Sequence, residues 1–101
     1  MVVVRDIFRV KFGMSREVND MFKEGVAIAR KIGFGAMGVR LLTDLAGERY
    51  YTLILETMFE SIAEWEQASL AVRGSAEWRA WYAKVTPFID SGERKMYSVI
   101  A

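Results

Sequence analysis

The longest β-like pattern in the chain runs from Tyr50 to Glu60 and contains neither glycine nor proline. Strand alternation divides it into two sides, Tyr51, Leu53, Leu55, Thr57 and Phe59 on one and Tyr50, Thr52, Ile54, Glu56 and Met58 on the other. Both sides carry apolar residues, which is typical of a central strand with something packed on each face. This stretch therefore predicts the strand around which the rest of the chain is organised.

The N-terminal part of the chain predicts one strand and one helix. Alternation from Val2 to Phe12 predicts the strand, which ends at Gly13. One side of that strand carries Val4, Asp6, Phe8, Val10 and Phe12. Apolar residues then recur at helical spacing from about 16 to 31, with Ser15 as the expected N-cap. Gly33 suits the left-handed position that follows a helix.

Two further strands are predicted on either side of the C-terminal helices. One covers about 36–43 and forms a hairpin with the central strand through the segment 44–48, where we expect Gly47 to be left-handed. The other covers 94–100 and is the last strand of the chain.

Two serines mark the starts of the C-terminal helices. Ser61 and Glu64 have capping-box spacing, and the first helix turns Ile62, Trp65, Ala68 and Val72 inward. Ser75 caps the second helix, whose apolar edge is Trp78, Trp81, Tyr82 and Val85. Gly74 separates the two helices, and Pro87 prevents the second from continuing.

The predicted order is β-α-β-β-α-β, the ferredoxin-like α+β plan. Right-handed crossovers place the helices on one face of a four-stranded antiparallel sheet whose central strands are the first and the third. The other face is then bare and larger than soluble monomers usually expose, so we expect it to form a two-fold homodimer interface. The predicted interface consists of Arg5, Ile7, Arg9, Arg40, Leu42, Ile54, Glu56 and Met58, with Arg5 and Arg9 available to pair with Glu56 across that interface.

Composition narrows the range of functions. The 101 residues predict one domain, 1–101, and 52% hydrophobic residues favour a compact fold. A net charge of +1 gives no reason to expect nucleic acid or a membrane as partner. The chain lacks histidine and cysteine, so thiol catalysis is excluded and neither a metal nor another cofactor is expected. The absence of a signal-like or membrane-spanning stretch predicts a cytoplasmic location.

Two segments carry a resemblance to a known group of proteins. Residues 56–65 (ETMFESIAEW) and 75–89 (SAEWRAWYAKVTPFI) resemble the dimeric α/β-barrel superfamily, especially its NIPSNAP-like and antibiotic-biosynthesis-monooxygenase-like branches. The resemblance implies a homodimer and a ligand pocket between helices and sheet. The aromatic residues that would line this pocket are Phe8, Tyr51, Phe59, Trp65, Trp78, Trp81 and Tyr82. Asp6 and Phe59 also resemble positions of the haem degraders, but these use a helix histidine that this chain lacks.

Each candidate site residue also has a structural interpretation. The aromatic residues can equally pack in the core and dock the helices, and the arginines and Glu56 can be interface ion pairs. Asp6 interrupts an apolar side of a central strand, so its carboxylate must be paired, protonated or near water. We interpret it either as a structural hydrogen-bonding group or as a general base in a pocket.

The sequence supports two functional hypotheses. The first is a dimeric small-molecule-binding protein of the NIPSNAP-like kind without assigned catalysis. The second is a cofactor-independent monooxygenase or isomerase acting on an aromatic or apolar molecule, in which Asp6 takes the proton and Trp65, Trp81 and Tyr82 hold the ring. A closed pocket with Asp6 at its wall favours the second hypothesis, and a packed core favours the first.

Overall fold

The computed structural model describes residues 1–47 and 50–101 and contains four strands, three α-helices and one 3₁₀ turn in that part of the chain. In chain order these are β1 (Val2–Val10), α1 (Ser15–Lys31), β2 (Val39–Thr43), β3 (Thr52–Phe59), α2 (Ile62–Arg73), α3 (Ala76–Val85), the 3₁₀ turn Thr86–Phe88, and β4 (Ile89–Ser98). The predicted element order is confirmed, including the division of the second helical segment at Gly74.

The four strands form one antiparallel sheet in the order β2-β3-β1-β4. The prediction that β1 and β3 are central is confirmed, and so is the ferredoxin-like plan. The register places Asp6 opposite Leu55 on β3 and opposite Arg94 on β4. It also places Glu56 between Arg5 and Arg40. These cross-strand rows decide which polar side chains meet.

The hydrophobic core lies between the sheet and helices α1 and α3. Its buried members are Val10 and Leu53 from the sheet, Val18, Phe22 and Ile28 from α1, and Trp81 and Val85 from α3. Leu55, Thr57 and Phe59, on the same side of β3 as Leu53, are also buried, so the predicted division of this strand is confirmed. Thr57 Oγ1 is buried here without a hydrogen-bond partner among the residues that are described.

Three of the predicted helix-terminal features are present and one is wrong. Ser61 Oγ accepts from the Glu64 backbone N–H at 3.2 Å, and Ser75 Oγ accepts from the Trp78 backbone N–H at the same distance. Gly33 has the left-handed φ of +91° expected after α1. Ser15, however, is the first helical residue rather than the N-cap. Met14 holds the cap position without a side-chain bond.

Several boundaries and orientations differ from the sequence predictions. β2 begins at Val39 rather than 36, since positive φ angles at Gly35 and Gly38 keep the preceding segment in turns. β4 begins at Ile89 rather than 94, directly after the 3₁₀ turn. Among the described residues of the β2–β3 connection, Tyr51 is left-handed, at φ 58°, and Gly47 is not, while Glu48 of the predicted turn lies outside the described residues.

Several apolar side chains predicted to lie on packed surfaces are exposed, among them Phe12, which follows the end of β1 at Val10. Ile62 and Tyr82 turn to solvent because α2 and α3 are short helices that contact the rest of the protein along a narrow edge. Tyr50 precedes β3 and therefore does not belong to the bare sheet face. Within residues 1–47 and 50–101, no helix is long and apolar enough to cross a membrane.

Candidate functional site

Asp6 lies on the helix-facing side of β1, together with the buried residues Val4 and Val10. Its neighbour across the strands is Arg94 on β4, and Arg94 Nε donates a hydrogen bond to Asp6 Oδ1 at 2.6 Å. Only 13% of the Asp6 side chain is exposed. Burial raises the pKa of Asp6 above its usual value, and the hydrogen bond and charge of Arg94 oppose this increase only in part.

The guanidinium of Arg94 also contacts helix α2. Its Cζ atom lies 5.0 Å from the centroid of the Trp65 ring, within the range of a cation–π contact. Asp6, Arg94 and Trp65 therefore form one cluster, to which β1, β4 and α2 each contribute a side chain. Asp6 and Trp65 are predicted site residues, whereas Arg94 is not, because only the strand register brings positions 6 and 94 together.

Three of the predicted pocket residues, Phe8, Trp78 and Trp81, pack in a row with Phe22 of α1. Ring centroids are 4.9 Å apart between Phe8 and Phe22, 5.2 Å between Phe22 and Trp81, and 4.7 Å between Trp81 and Trp78. Trp81 Nε1 donates to the Met21 carbonyl oxygen at 2.7 Å. This arrangement docks α3 on α1 and fills the space between the helices and the sheet.

The other four predicted pocket residues lie in separate places. Tyr51 packs edge-on against Phe12, with centroids 4.9 Å apart, and Phe59 packs against Phe34 at 5.4 Å. Trp65 lies under Arg94, and Tyr82 is exposed. The seven aromatic side chains therefore do not surround a common space, and their role in ligand binding stays a prediction.

Two open hollows in the described part of the chain lie beside α1 and β2, at the sheet edge opposite β4. One, of about 460 Å³, is lined by Arg30 and the turns 33–38. The other, of about 390 Å³, lies between α1 and β2 and is lined by Lys23, Val26, Arg30, Val39 and Leu41. Neither is lined by Asp6 or by a predicted pocket aromatic. The described residues also include no group of three or more acidic side chains that could hold a metal ion.

The sheet face away from the helices carries a row of four charged side chains, Arg40, Glu56, Arg5 and Lys95, in which Glu56 accepts hydrogen bonds from both arginines. Glu56 Oε1 accepts from Arg5 Nε at 3.1 Å, and Glu56 Oε2 accepts from Arg40 Nε at 2.7 Å and also from Arg40 Nη2. Only 7% of the Glu56 side chain is exposed. Desolvation raises its pKa, but the hydrogen bonds and charges of Arg40 and Arg5 lower it more, so the pKa of Glu56 is held below its usual value.

The remaining predicted interface residues flank this charged row. Leu42, Ile54 and Ile7 are cross-strand neighbours in the next row, and Met58 lies opposite Val3 on the other side. Within the chain Arg9 does not contact Glu56, and its pairing with Glu56 across a dimer interface stays a prediction. Its Nη1 donates to Thr52 Oγ1 at 2.5 Å because the register places Arg9 opposite Thr52. Arg40, on the edge strand β2, donates to the second carboxylate oxygen of Glu56.

This geometry defines a ferredoxin-like α+β protein with one open sheet face and an acidic side chain paired beneath the helices. No protein-family model matches the chain, and no curated protein matches its sequence. Solved structures with the same fold do match. An uncharacterised NIPSNAP domain protein from Burkholderia xenovorans is 15% identical, with a TM-score of 0.85 over 100% of this chain and 96% of that one.

Two further solved structures extend the comparison. A NIPSNAP family protein from Agrobacterium tumefaciens is 19% identical, with a TM-score of 0.84 over 96% of this chain and 90% of that one. A putative antibiotic biosynthesis monooxygenase from Nitrosomonas europaea is 11% identical, with a TM-score of 0.75 over the whole of both chains. The chain thus has the fold of both groups, which confirms the structural resemblance predicted from residues 56–65 and 75–89.

Proposed function

We propose that the protein is a homodimer of the NIPSNAP-like kind that binds a small molecule, with no catalysis assigned to it. The observation that carries the proposal is the arrangement on the helix-facing side, where Asp6 is paired with Arg94 beside a strand that the helices leave uncovered. Nine of the ten residues of β4 are exposed, so there is room for a ligand above this strand. The hydrogen bond from Arg94 opposes the rise in the pKa of Asp6 that burial causes, so Asp6 is a weaker base than an equally buried carboxylate without that bond.

The bare sheet face supports the homodimer. Its apolar rows, formed by Leu42, Ile54 and Ile7 and by Met58 and Val3, flank a charged row in which Glu56 is paired within the chain with Arg5 and Arg40. A second copy related by a two-fold axis can cover the apolar rows without leaving the Glu56 carboxylate unpaired. This contact would close two four-stranded sheets into the predicted dimeric α/β barrel.

Native mass spectrometry of protein purified from its own host tests both parts. We expect twice the mass of the chain and an additional mass from a retained organic molecule. A monomer at micromolar concentration would contradict the homodimer. A dimer that carries no additional mass, and that binds no compound from a panel of small apolar molecules, would contradict the binding function.

A second candidate function is that of a cofactor-independent monooxygenase or isomerase. The raised pKa of Asp6 favours it, because a carboxyl group near apolar walls accepts a proton more readily at neutral pH. Of the residues predicted to hold the substrate ring, Trp65 lies in the Asp6–Arg94 cluster, whereas Trp81 packs against α1 and Tyr82 faces solvent. The putative monooxygenase from Nitrosomonas europaea shares only the fold with this chain.

The remaining expectations from the sequence stay predictions. These are a cytoplasmic location, the absence of a cofactor, and the absence of nucleic-acid and membrane partners. A net charge of +1 supports the expectation about nucleic acid.

A further inference from the structure

The guanidinium group of Arg94 bonds to Asp6 along one edge and stacks on Trp65 with one face, while its other edge has no partner among the described residues. Its Nε atom donates to Asp6 Oδ1 at 2.6 Å, and its Cζ atom lies 5.0 Å from the Trp65 ring centroid. Among the described residues, neither of its terminal nitrogens, Nη1 and Nη2, has a hydrogen-bond partner. The Arg94 side chain is 51% exposed. The guanidinium is therefore oriented by the protein while two of its nitrogens remain available.

Apolar atoms lie on both sides of Arg94 along β4. Strand alternation puts Gly92 and Met96 on its side of the sheet, and Met96 is 37% exposed. Gly92 has no side chain, so the ring of Phe8 borders this position. A Cβ atom added at 92 would lie 3.5 Å from Phe8 Cδ1. We call this surface the β4 shelf. Its residues are Asp6, Phe8, Trp65, Gly92, Arg94 and Met96.

We propose that the β4 shelf binds a small monocarboxylate with an apolar body, the carboxylate accepting hydrogen bonds from Nη1 and Nη2 of Arg94. The proposal rests on the proposed binding function and names its ligand class. A guanidinium presents paired N–H donors in a plane that matches the two oxygens of a carboxylate. The apolar body lies on Met96 or on the exposed edge of Phe8, and either contact removes apolar surface from water.

Charge selects a monoanion over other ligands. Arg94 carries one positive charge, which Asp6 already offsets in part, and the neighbouring Lys95 lies on the opposite face of the strand. A doubly charged phosphate would therefore have an excess of negative charge beside Asp6. An organic cation would need the places against Asp6 and Trp65 that Arg94 itself occupies, so we expect it to be excluded.

Calorimetric titration of the full chain with matched probes tests this selectivity. The probes are octanoate, octanamide and octylamine, together with 3-phenylpropanoate and its amide, all at pH 7 and one salt concentration. We expect at least one carboxylate to bind about tenfold or more tightly than its amide, the smallest difference that a charged two-point hydrogen bond should produce. Equal binding of both acids and their amides, preference for octylamine, or no binding by any carboxylate would overturn the proposal.

Substitutions on β4 identify the group responsible. Arg94→Gln should reduce carboxylate affinity about tenfold or more and leave amide affinity unchanged. Arg94→Lys, which keeps the charge but loses the paired donors, should also weaken binding. Lys95→Gln is the matched control, because it removes a positive charge from the other face of the same strand and should leave affinity unchanged. Retention of full affinity in Arg94→Gln, or an equal loss in Lys95→Gln, would overturn the assignment to Arg94.

The two proposals fail in different ways. If the amides bind as tightly as the acids, the carboxylate proposal is wrong and the small-molecule-binding function stands.

Two-dimensional NMR of the arginine side chains provides a readout that needs no variant. Carboxylate binding should shift the Arg94 Nη signals more than those of Arg5 or Arg40. Shifts confined to Arg5 and Arg40 would place the ligand on the opposite sheet face and overturn the proposal.

Discussion

The indole ring of Trp81 fills the space beside Gly25 in which any other residue would place its Cβ atom. A Cβ built at 25 would lie 2.7 Å from Trp81 Cη2, 2.6 Å from Cε2 and closer still to Cζ2. One turn earlier on α1, the Met21 carbonyl oxygen accepts a hydrogen bond of 2.7 Å from Trp81 Nε1. Gly25 therefore allows α3 to lie close enough to α1 for the indole to reach the helix backbone.

The first prediction is that Gly25→Ala destabilises the protein. Alanine would favour the α1 helix by about 1 kcal/mol relative to glycine, but its methyl group would displace the Trp81 ring. Overpacking of this kind typically costs about 1–3 kcal/mol, and the hydrogen bond to Met21 would also be distorted. Urea unfolding monitored by tryptophan fluorescence should therefore give a lower free energy of unfolding for the variant.

Gly47→Ala is the control for this experiment. A Cβ at 47 has no neighbour within 4 Å, and the backbone there is not left-handed, so stability should change little. The double variant Gly25→Ala with Trp81→Phe should be less destabilised than the sum of the two single changes, because the smaller ring leaves room for the methyl group. A stabilised Gly25→Ala protein would contradict the close packing of α1 and α3.

The second prediction concerns the bare sheet face. Ile54 lies between Ile7 and Leu42 at the centre of this face. If two sheets meet here, Ile54→Lys buries an unpaired charge and should weaken the homodimer by several kcal/mol, on the order of the penalty for an uncompensated buried ion. Sedimentation velocity at micromolar concentration should then show the wild type as a dimer and the variant as a monomer.

Ile62→Lys is the matched control, since it makes the same chemical change at an exposed position of α2. This variant should sediment as the wild type does. If Ile54→Lys also sediments as the wild type and unfolds at the same urea concentration, the sheet face is not an interface. Dissociation of both variants to the same extent would mean that position 54 has no special role.

The third prediction is that Glu56 makes the protein sensitive to acid. Its pKa is held below the usual 4.5 in the folded chain, so the unfolded chain binds more protons as pH falls. The stability that Glu56 contributes is therefore fully present above about pH 4.5. It is lost as pH decreases through the pKa of Glu56 in the folded chain, which is lower. Glu56→Gln should cost about 1.5–3 kcal/mol at pH 7, the range for hydrogen bonds to charged groups.

The difference between wild type and Glu56→Gln should shrink as pH falls from 7 to 3, as measured by urea unfolding at each pH. The control is Glu66→Gln, at an exposed position of α2, which should stay within a few tenths of a kcal/mol of the wild type. A constant difference at every pH would show that Arg5 and Arg40 do not favour the charged form of Glu56.

Local patterns in the sequence were sufficient to predict the strands and helices and which side of each strand is buried. Alternation in β3 correctly placed Leu53, Leu55 and Phe59 towards the helices, because a strand under a helical layer must bury one full side. Ser61 and Ser75 were recognised as caps, since the capping signal lies within three residues. Both kinds of signal depend on residues that are close in the chain.

Pairings between distant residues could not be predicted in the same way. Arg94 is 88 positions from Asp6, and their contact depends on the exact register of β1 against β4. The same applies to Arg40, whose bond to Glu56 was not predicted. The left-handed conformation of Tyr51 was not predicted either. Bulky residues rarely adopt a positive φ, and the nearby Gly47 can adopt one without a steric penalty.

The fourth prediction is that Asp6 has the opposite effect of Glu56 on the pH dependence of stability. Burial raises the pKa of Asp6 above the usual 3.8 in spite of the bond from Arg94, so the folded chain holds this proton more tightly than the unfolded chain does. The stability that Asp6 contributes is then fully present below pH 3.8 and is lost as pH rises through the pKa of Asp6 in the folded chain.

Asp6→Asn keeps the shape of the side chain and an acceptor for Arg94 Nε but removes the titration. The stability of the wild type relative to this variant should therefore decrease as pH rises from 3 to 7. Asp90→Asn, at an exposed position of β4, is the control and should follow the wild-type curve. A relative stability that increases with pH would mean that Arg94 dominates and lowers the pKa of Asp6. Asp6 would then have no raised basicity, and the observation that favours a general base in a monooxygenase or isomerase would be lost.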